Sequence, residues 1–248
     1  SEGLPVPIVK RITRHVLHVL SGLHACGIAH TDPDLKPDNI MIGMSPQLTT
    51  KALEHWVAAH PARVYLPLQS LYKMVTSAFK SETLPLPSID DLAQCTFRLT
   101  DVGHSQVVND QTTDDITPLT LRPPEVILGG QWTESVDMWT LGAVVFTLMT
   151  DKPLFSTSVL DHHKHFLREG ITAISTSDQE MEVLFWQMAA FTGKRYPPAV
   201  LELYPLSWNF FMNDGYDVSG ACALIRRCLQ INPSARPSAQ ELLEDSWL

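Results

Sequence analysis

The chain has 248 residues, of which 44% are hydrophobic, and 27 acidic against 18 basic residues give it a formal net charge of -9. This length and apolar content predict a globular protein with a substantial core and exclude disorder as its main state. The acidic balance disfavours a nucleic acid or an anionic membrane as the partner and suits a basic one.

The spacing of the cysteines and the length of the apolar runs indicate the cellular compartment of the protein. The four cysteines are scattered without C-x-x-C spacing, which predicts free thiols in a reducing compartment. The N-terminal stretch does not resemble a signal peptide, and the longest apolar run, residues 141–149, is far shorter than the ~20 residues of a membrane span. We therefore expect a protein of the cytoplasm, the nucleus or both, without a membrane partner.

The first elements in chain order are a helix and a strand. Apolar residues at three- and four-residue intervals predict an amphipathic helix over residues 5–24, which Gly27 ends. A β-branched run predicts a short strand at 40–42. Residues 44–96 are rich in Ser, Thr and Pro and predict a surface insertion with helices at 52–60 and 68–80.

A polar loop with the sequence HTDPDLKPDN joins that helix to that strand. Phosphoryl transfer needs an Asp that accepts the hydroxyl proton, a Lys that stabilises the migrating phosphoryl group, and an amide or carboxylate that holds Mg²⁺. Asp34, Lys36 and Asn39 supply these three groups within one loop. Such a triplet alone is a weak signal, so its interpretation depends on the motifs around it.

A second short strand is predicted at 97–100 and ends at Asp101. Together with the strand at 40–42 it could bring Asn39 and Asp101 to the same edge, as a metal site with two protein ligands requires. Residues 104–120 are polar and predict little regular structure. Further helices are predicted at 135–150, which is apolar on all sides and therefore buried, at 161–168, 178–191 and 220–230, and from Ser238, where Glu241 completes a capping box.

Five motifs follow one another in a fixed order: HTDPDLKPDN, DVG, RPPE, DMWTLG and NPSARP. In this order they resemble the signatures of the C-terminal lobe of a eukaryotic protein kinase. Residues 3–24 and 114–132 are most similar to serine/arginine-rich-protein kinases, particularly divergent fungal ones. The resemblance implies a mainly α fold, a kinase-like C-lobe over 1–248 with short β-hairpin elements near the catalytic loop and an insertion at 44–96.

The resemblance also implies that the N-lobe is missing, because no Gly-rich loop and no strand lysine precede the first helix. An isolated C-lobe would bind ATP weakly and would not be expected to catalyse the reaction.

The resemblance assigns roles to the residues that match it. It implies that Asp34 is the catalytic base, that Lys36 contacts the γ-phosphate of ATP, and that Asn39 and Asp101 hold Mg²⁺. It further implies a buried ion pair between Glu125 and Arg236. Asp137 matches the residue that ties the buried helix to the backbone of the catalytic loop.

The chain departs from the family pattern within the catalytic loop. Two additional residues separate His30 from Leu35, so Asp32 fits the spacing from the histidine and Asp34 the spacing to Asn39. We favour Asp34 as the base, because its distance from the metal ligand decides the in-line geometry, and Asp32 is the alternative.

Thr31 replaces an arginine that clamps a phosphorylated activation segment in many kinases. This replacement leads to the hypothesis that activity does not need phosphorylation of that segment.

The expected function is a serine/threonine protein kinase that uses ATP and Mg²⁺ and acts on basic, Arg/Ser-rich proteins. An inactive kinase-like scaffold is the alternative, favoured by the expected absence of the N-lobe and by the expanded loop. A small-molecule phosphotransferase also has an H-x-D-x-x-x-x-N loop, but Glu125, Asp137 and Arg236 argue against it. His162, His163 and His165 lack the i, i+4 spacing of a helical metal site and predict a solvated helix end.

Overall fold

The structure is a computed structural model that describes residues 3–31, 35–43, 50–69, 75–80, 87–156, 180–181, 184, 187–188, 191 and 218–248. Its helices are α1 (Val6–Ala25), α2 (Thr50–Ala59), α3 (Ile89–Leu92), α4 (Pro124–Ile127), α5 (Ser135–Thr150), α6 (Val218–Cys228) and α7 (Ala239–Leu243). Its strands are β1 (Ile28–Ala29), β2 (Ile40–Ile42), β3 (Arg63–Val64), β4 (Leu68–Gln69), β5 (Val75–Thr76), β6 (Phe79–Lys80), β7 (Phe97–Leu99) and β8 (Gln106–Val107). Short 3₁₀ helices span Pro37–Asn39, Val102–His104, Leu119–Leu121 and Pro233–Ala235.

Residues 1–41 and 97–248 form one compact unit, and residues 42–96 form another. The first unit contains both segments predicted to carry the catalytic loop and the metal ligand. The insertion predicted at 44–96 falls within the second unit.

The core of the first unit surrounds α5, which is buried on nearly every side, as its all-round apolar sequence predicts. Helix α1 lays its apolar stripe, which includes Val9, Leu17 and Leu20, against α5, α7 and β7. Because α1 ends directly before β1, this packing fixes the direction in which the chain enters the predicted catalytic loop.

Helix α6 approaches α5 closely at Gly142. A Cβ atom added there would lie 2.8 Å from Cys228 Cβ and 3.1 Å from Leu229 Cγ, so only a glycine permits this spacing. Cys228 is fully buried at the contact, and desolvation raises the pKa of its thiol to about 12. All four cysteines are free, as their spacing predicts, and Cys228 is an unreactive core residue.

The helices predicted at 5–24, 52–60, 135–150 and 220–230 are confirmed as α1, α2, α5 and α6 within a few residues at each end. The capping box at the start of α7 is confirmed too, since the Ser238 hydroxyl accepts from Glu241 N and the Glu241 carboxylate accepts from Ser238 N. The predicted helix at 161–168 and all three histidines at 162–165 lie outside the described residues. Of 178–191, the described residues 180, 181, 184, 187, 188 and 191 are helical.

The helix predicted at 68–80 is wrong. Apolar residues recur there at three- and four-residue intervals, but the segment forms β4, β5 and β6, and the antiparallel pairs β3–β6 and β4–β5 build a hairpin. Val75, Thr76 and Phe79 are β-branched or aromatic residues, which prefer strands, and this preference outweighs the spacing. Among the described helices, none is long and apolar enough to cross a membrane.

Among the described residues between 28 and 107, eight short strands form four two-stranded sheets. Two of these sheets, β1–β8 and β2–β7, lie beside the predicted catalytic loop. The other two lie in the second unit. The prediction of a mainly helical lobe with hairpin elements only near the catalytic loop does not describe this arrangement.

Candidate active site

Strands β2 and β7 bring Asn39 to Asp101. The two strands pair with each other, and both the amide nitrogen and the hydroxyl of Thr100 donate to the carbonyl oxygen of Asn39 at 3.0 Å. Asn39 Nδ2 lies 3.4 Å from Asp101 Oδ2. The prediction that two distant strands deliver these side chains to the same edge is confirmed.

Asp101 has a left-handed backbone, with φ 64° and ψ 51°, directly after β7. A non-glycine residue in this region costs on the order of 1–3 kcal/mol, although aspartate tolerates it better than most residues. The turn separates β7 from the 3₁₀ helix Val102–His104 and leaves the Asp101 carboxylate exposed. The strain thus lies at the residue predicted to bind metal.

Asp137, on the buried helix α5, fixes the start of the predicted catalytic loop. Its carboxylate accepts from the backbone N–H of His30 at 2.7 Å and from that of Thr31 at 3.2 Å. All three residues are buried. The predicted role of Asp137 as the tie between the buried helix and the loop backbone is confirmed.

Thr31 also has a left-handed backbone, with φ 40°, which is unusual for a β-branched residue. Three further contacts support it: its hydroxyl donates to the carbonyl of His104 at 3.1 Å, its carbonyl accepts from Thr117 N at 3.3 Å, and the neighbouring His30 carbonyl accepts from the Ser105 hydroxyl at 3.3 Å. Thr31 therefore joins the loop to the segment that follows Asp101, at the position where many kinases have an arginine.

His24 is a residue of the site that sequence reasoning missed. Its Nε2 lies 2.8 Å from Asp137 Oδ2, the same oxygen that accepts from His30 N. The histidine lies in the last turn of α1, and its position at the end of an amphipathic helix does not indicate a contact with Asp137. The contact links α1, α5 and the loop through one carboxylate.

The predicted ion pair between Glu125 and Arg236 is confirmed. The guanidinium donates to both carboxylate oxygens, at 2.6 and 2.7 Å, and both side chains are buried. Arg236 also donates to the carbonyls of Gln230 and Ser135 and lies 5.1 Å from the ring centroid of Trp139. The pair joins α4, α5 and the segment before α7.

Gln106 organises the segment between Asp101 and α4, a role that sequence reasoning also missed. Its Oε1 accepts from the N–H groups of Thr112 and Thr113 and from the Thr112 hydroxyl at 2.7–3.1 Å. Its Nε2 donates to the Thr113 carbonyl at 3.1 Å. A single buried amide therefore satisfies four polar groups of a segment that has little regular structure.

Two acidic residues of the same segment make internal contacts. Asp115 pairs with Arg122 at 2.8 Å, and its side chain remains 85% exposed. Asp114 accepts from the indole N–H of Trp132 at 3.1 Å. Both contacts help to hold the segment, and the exposed face of Asp115 can still meet a basic ligand.

Of the predicted catalytic and metal-binding residues, the structure describes Lys36, Asn39 and Asp101, whereas Asp32 and Asp34 lie outside the described residues. The described part of the chain contains no cluster of three or more His, Cys, Asp or Glu that could hold a metal. Mg²⁺ is commonly held by one or two protein oxygens together with substrate phosphates. The Asn39 amide and the Asp101 carboxylate are the oxygen donors that such binding requires, so these residues fit Mg²⁺.

Comparison with known proteins gives a family match. A family model described as "Protein kinase domain" matches residues 89–248, which is more than half of the chain. The serine/threonine-protein kinase SRPK of Physarum polycephalum is 30% identical over 163 residues, covering 62% of this chain and 38% of that protein. The serine/threonine-protein kinase AFC1 of Arabidopsis thaliana is 28% identical and covers 98% of this chain and 49% of that protein. The dual specificity protein kinase lkh1 of Schizosaccharomyces pombe is 24% identical, and the match covers 66% of this chain and 19% of that protein.

Solved structures show the same fold. A crystallised kinase domain has a TM-score of 0.54 and 19% identity, covering 100% of this chain and 67% of its own. The structure of the Rad53 kinase domain and SCD2 has a TM-score of 0.50 and 20% identity, and the match covers 100% of this chain and 58% of that one. The chain spans less than half of the length of the three curated relatives.

These matches correct the predicted fold class. The kinase-like part of the prediction is supported, but the prediction of a C-lobe whose N-lobe is missing is wrong, because the similarity to solved kinase domains extends over the whole chain. The strand pairs β3–β6 and β4–β5 also depart from the predicted mainly α lobe, in which short β-hairpin elements were expected only near the catalytic loop.

Proposed function

The chain belongs to the protein kinase domain family, and from this premise we propose that it serves a serine/threonine protein kinase that transfers the γ-phosphate of ATP to hydroxyls of basic, Arg/Ser-rich proteins. The observation that carries the proposal is the meeting of Asn39 and Asp101 beside a loop whose first residues, His30 and Thr31, are held by Asp137. Phosphoryl transfer depends mainly on positioning and electrostatic stabilisation, and this arrangement can provide both.

Each residue of the site has a defined task. Asp34 accepts the proton of the substrate hydroxyl, and Asp32 is the alternative for this task. Lys36 contacts the γ-phosphate, and Asn39 and Asp101 hold Mg²⁺. When bound, Mg²⁺ neutralises charge that develops on the phosphate oxygens.

The preference for basic substrates rests on charge. The whole chain has a net charge of -9, and the exposed carboxylate of Asp115 lies on the segment that follows the metal-binding turn. An acidic surface attracts Arg-rich peptides and raises their association rate. The relatives named serine/threonine-protein kinase SRPK and AFC1 support Ser and Thr hydroxyls as the phosphate acceptors. The reducing compartment suggested by four free cysteines favours the cytoplasm or the nucleus.

A kinase-like binding scaffold is the second candidate. The observation in its favour is the pair of additional residues between His30 and Leu35, which alters the spacing of the loop that carries the base. A scaffold would keep the contacts of Asp137 and of the Glu125–Arg236 pair, which stabilise the fold whether or not phosphate is transferred.

The test is phosphorylation of an Arg/Ser-repeat peptide and of a neutral Ser peptide by the full-length protein, its Asp32→Ala, Asp34→Ala and Asp101→Ala variants, and the exposed-site control Asp110→Ala. We expect the Arg/Ser peptide to be preferred and activity to fall by about 10³-fold or more for Asp34→Ala and Asp101→Ala. Full activity in Asp34→Ala refutes the assignment of the base, and equal rates on both peptides refute the substrate preference. Absence of transfer in the unaltered protein favours the scaffold.

A further inference from the structure

A groove opens between the last turns of α1, the start of α5 and the segment that leads into α7. It encloses a cavity of about 540 Å³, and ligand-binding cavities in proteins measure roughly 300–1,000 Å³. The residues that define this surface, called the α1–α7 groove below, are Ser21, His24, Glu134, Met138, Pro237 and Glu241. All of them belong to the first unit, and Lys36, Asn39 and Asp101 do not line the groove. The groove is therefore separate from the residues proposed to transfer phosphate.

The floor of the α1–α7 groove is apolar. Among the residues that line it, Met138 and Ala239 are each 1% exposed, and Pro237 is buried as well. Covering such a floor with the aliphatic part of a side chain removes apolar surface from water, which is favourable. The groove thus fits a ligand that has an apolar portion.

The rim of the groove carries two exposed carboxylates. Glu134 directly precedes α5, and Glu241 lies in the first turn of α7. In the described part of the chain neither carboxylate has an ion-pair partner, since Arg227, the cation whose charge reaches Glu241, pairs with Asp245. Hydrogen bonds from the backbone N–H and the hydroxyl of Ser238 lower the pKa of Glu241, so this carboxylate is ionised at neutral pH.

The basic side chains in the walls of the groove are balanced by partners inside the protein. Arg236 donates to both carboxylate oxygens of Glu125, at 2.6 and 2.7 Å. His24 Nε2 lies 2.8 Å from Asp137 Oδ2. An anionic ligand would have to compete with these carboxylates for their donors. The charge that the groove presents to a ligand is therefore that of the two carboxylates at its rim.

An arginine side chain matches both parts of the groove. Its aliphatic stem can cover an apolar floor while its guanidinium reaches a carboxylate at the surface. The guanidinium is planar, always charged and less strongly hydrated than an ammonium group, and it binds carboxylates through charge-assisted hydrogen bonds. Nucleic acids and anionic lipids have the wrong charge for this rim.

We propose that the α1–α7 groove docks an arginine-bearing segment of a basic protein, with the arginine stem on the apolar floor and its guanidinium at Glu134 and Glu241. The segment belongs to the Arg/Ser-rich substrate and lies outside the serine that is phosphorylated; this identification rests on the function proposed above. A substrate held at a second site meets the catalytic loop at a higher effective concentration, so docking lowers its KM.

His24 connects the groove to the catalytic loop. It lines the groove, and its ring contacts the Asp137 carboxylate that accepts from the backbone N–H groups of His30 and Thr31. The docked segment therefore lies on the same unit as the start of the loop that acts on the substrate.

The experiment measures binding of fluorescein-labelled peptides to the whole chain by fluorescence anisotropy. Arg and Ala alternate in one peptide, and Glu and Ala alternate in the other, so neither contains a hydroxyl that accepts phosphate. The groove variant is Glu134→Gln/Glu241→Gln, in which a glutamine at position 241 still accepts from Ser238 N and keeps the capping box. The control variant, Asp90→Asn/Asp110→Asn, removes two carboxylates at exposed positions outside the groove.

The unaltered chain and the control variant should bind the Arg–Ala peptide about tenfold or more tightly than the Glu–Ala peptide. The groove variant should bind the Arg–Ala peptide about tenfold more weakly than the control variant, because it loses two charge pairs. Both variants should melt within about 2 °C of the unaltered chain, which separates a loss of binding from a loss of fold. With an Arg/Ser-repeat peptide and the full-length protein, the groove variant should raise KM about tenfold and leave kcat unchanged.

The docking proposal is overturned if the groove and control variants bind the Arg–Ala peptide equally, or if the unaltered chain binds the two peptides equally or binds neither. Weaker binding by the groove variant with an unchanged KM overturns the assignment of the docked segment to the substrate. If the unaltered full-length protein transfers no phosphate, the proposed kinase function fails, and the comparison of peptide binding still decides whether the groove docks a basic segment.

Discussion

Replacing Asp137 by Asn tests whether one buried carboxylate holds the loop. The carboxylate accepts from His24 Nε2 and from the backbone N–H groups of His30 and Thr31 at 2.7–3.2 Å. Asparagine has the same shape but one acceptor oxygen, so its NH₂ group must face one of the buried N–H donors. An orphaned buried donor costs about 1–3 kcal/mol, and a hydrogen bond to a charged group contributes about 1.5–3 kcal/mol. We therefore expect a loss of about 2–4 kcal/mol in the free energy of unfolding.

For a chain of this size, 1 kcal/mol shifts Tm by roughly 2–4 °C, so Asp137→Asn should lower Tm by roughly 5–15 °C in a thermal melt followed by circular dichroism. Asp110→Asn makes the same chemical change at an exposed position and should shift Tm by under about 2 °C. Phosphotransfer by the full-length protein should fall as well, since the loop start loses its anchor. If the two variants melt at the same temperature, the carboxylate does not hold the loop.

Three other predictions follow from buried or organising contacts. Arg236→Met should destabilise the fold by about 3–5 kcal/mol in urea unfolding, because it leaves Glu125 as an uncompensated buried charge. Adding Glu125→Leu should recover part of that loss. If the losses of the two single variants simply add in the double variant, the two residues do not form a direct pair. Burial, with Arg11 and Arg14 nearby, lowers the pKa of His15, whose Nδ1 accepts from the backbone N–H of Phe97. The free energy of unfolding should therefore decrease as the pH drops below about 6.5, because the unfolded chain then binds more protons than the folded chain. His15→Asn, which keeps an acceptor, should flatten that decline in Tm measured against pH, and an unchanged profile would exclude His15 as its source. Since Gln106 already holds the segment after Asp101, phosphatase treatment should leave kinase activity unchanged; a loss of activity would show that a phosphate is required.

The sequence predicts well the contacts between residues that belong to different motifs far apart in the chain. Glu125, Asp137 and Arg236 are separated by up to 111 positions in the chain, but each belongs to a motif whose residue types require a partner when buried. The buried α5 was predictable because an all-round apolar helix can only lie in a core. Motif order carries long-range information that local spacing lacks.

The contacts that escaped prediction involve residues with common local patterns. His24 lies at a helix end and Gln106 in a polar stretch, and neither position shows locally that its side chain will be buried against backbone donors or a carboxylate. The strands in residues 68–80 escaped for a different reason, because apolar spacing there fits a helix while the residue types favour a strand. Tertiary pairing decides between such alternatives, and it is invisible in a single sequence.

The two anchors of the catalytic loop explain why its expansion changes the choice of base. Before the expansion, His30 and Thr31 are held by Asp137, and after it Asn39 is held by the strand pair β2–β7 through Thr100. Both flanking positions are thus held, and the sequence between His30 and Leu35, which has the two additional residues, contains both candidate aspartates. If the distance from the metal ligand decides which aspartate is the base, the spacing to Asn39 selects Asp34. If the start of the loop decides, the spacing from His30 selects Asp32. Loss of activity in Asp34→Ala, with activity retained in Asp32→Ala, would therefore identify the Asn39 side of the loop as the part that sets the geometry of phosphoryl transfer.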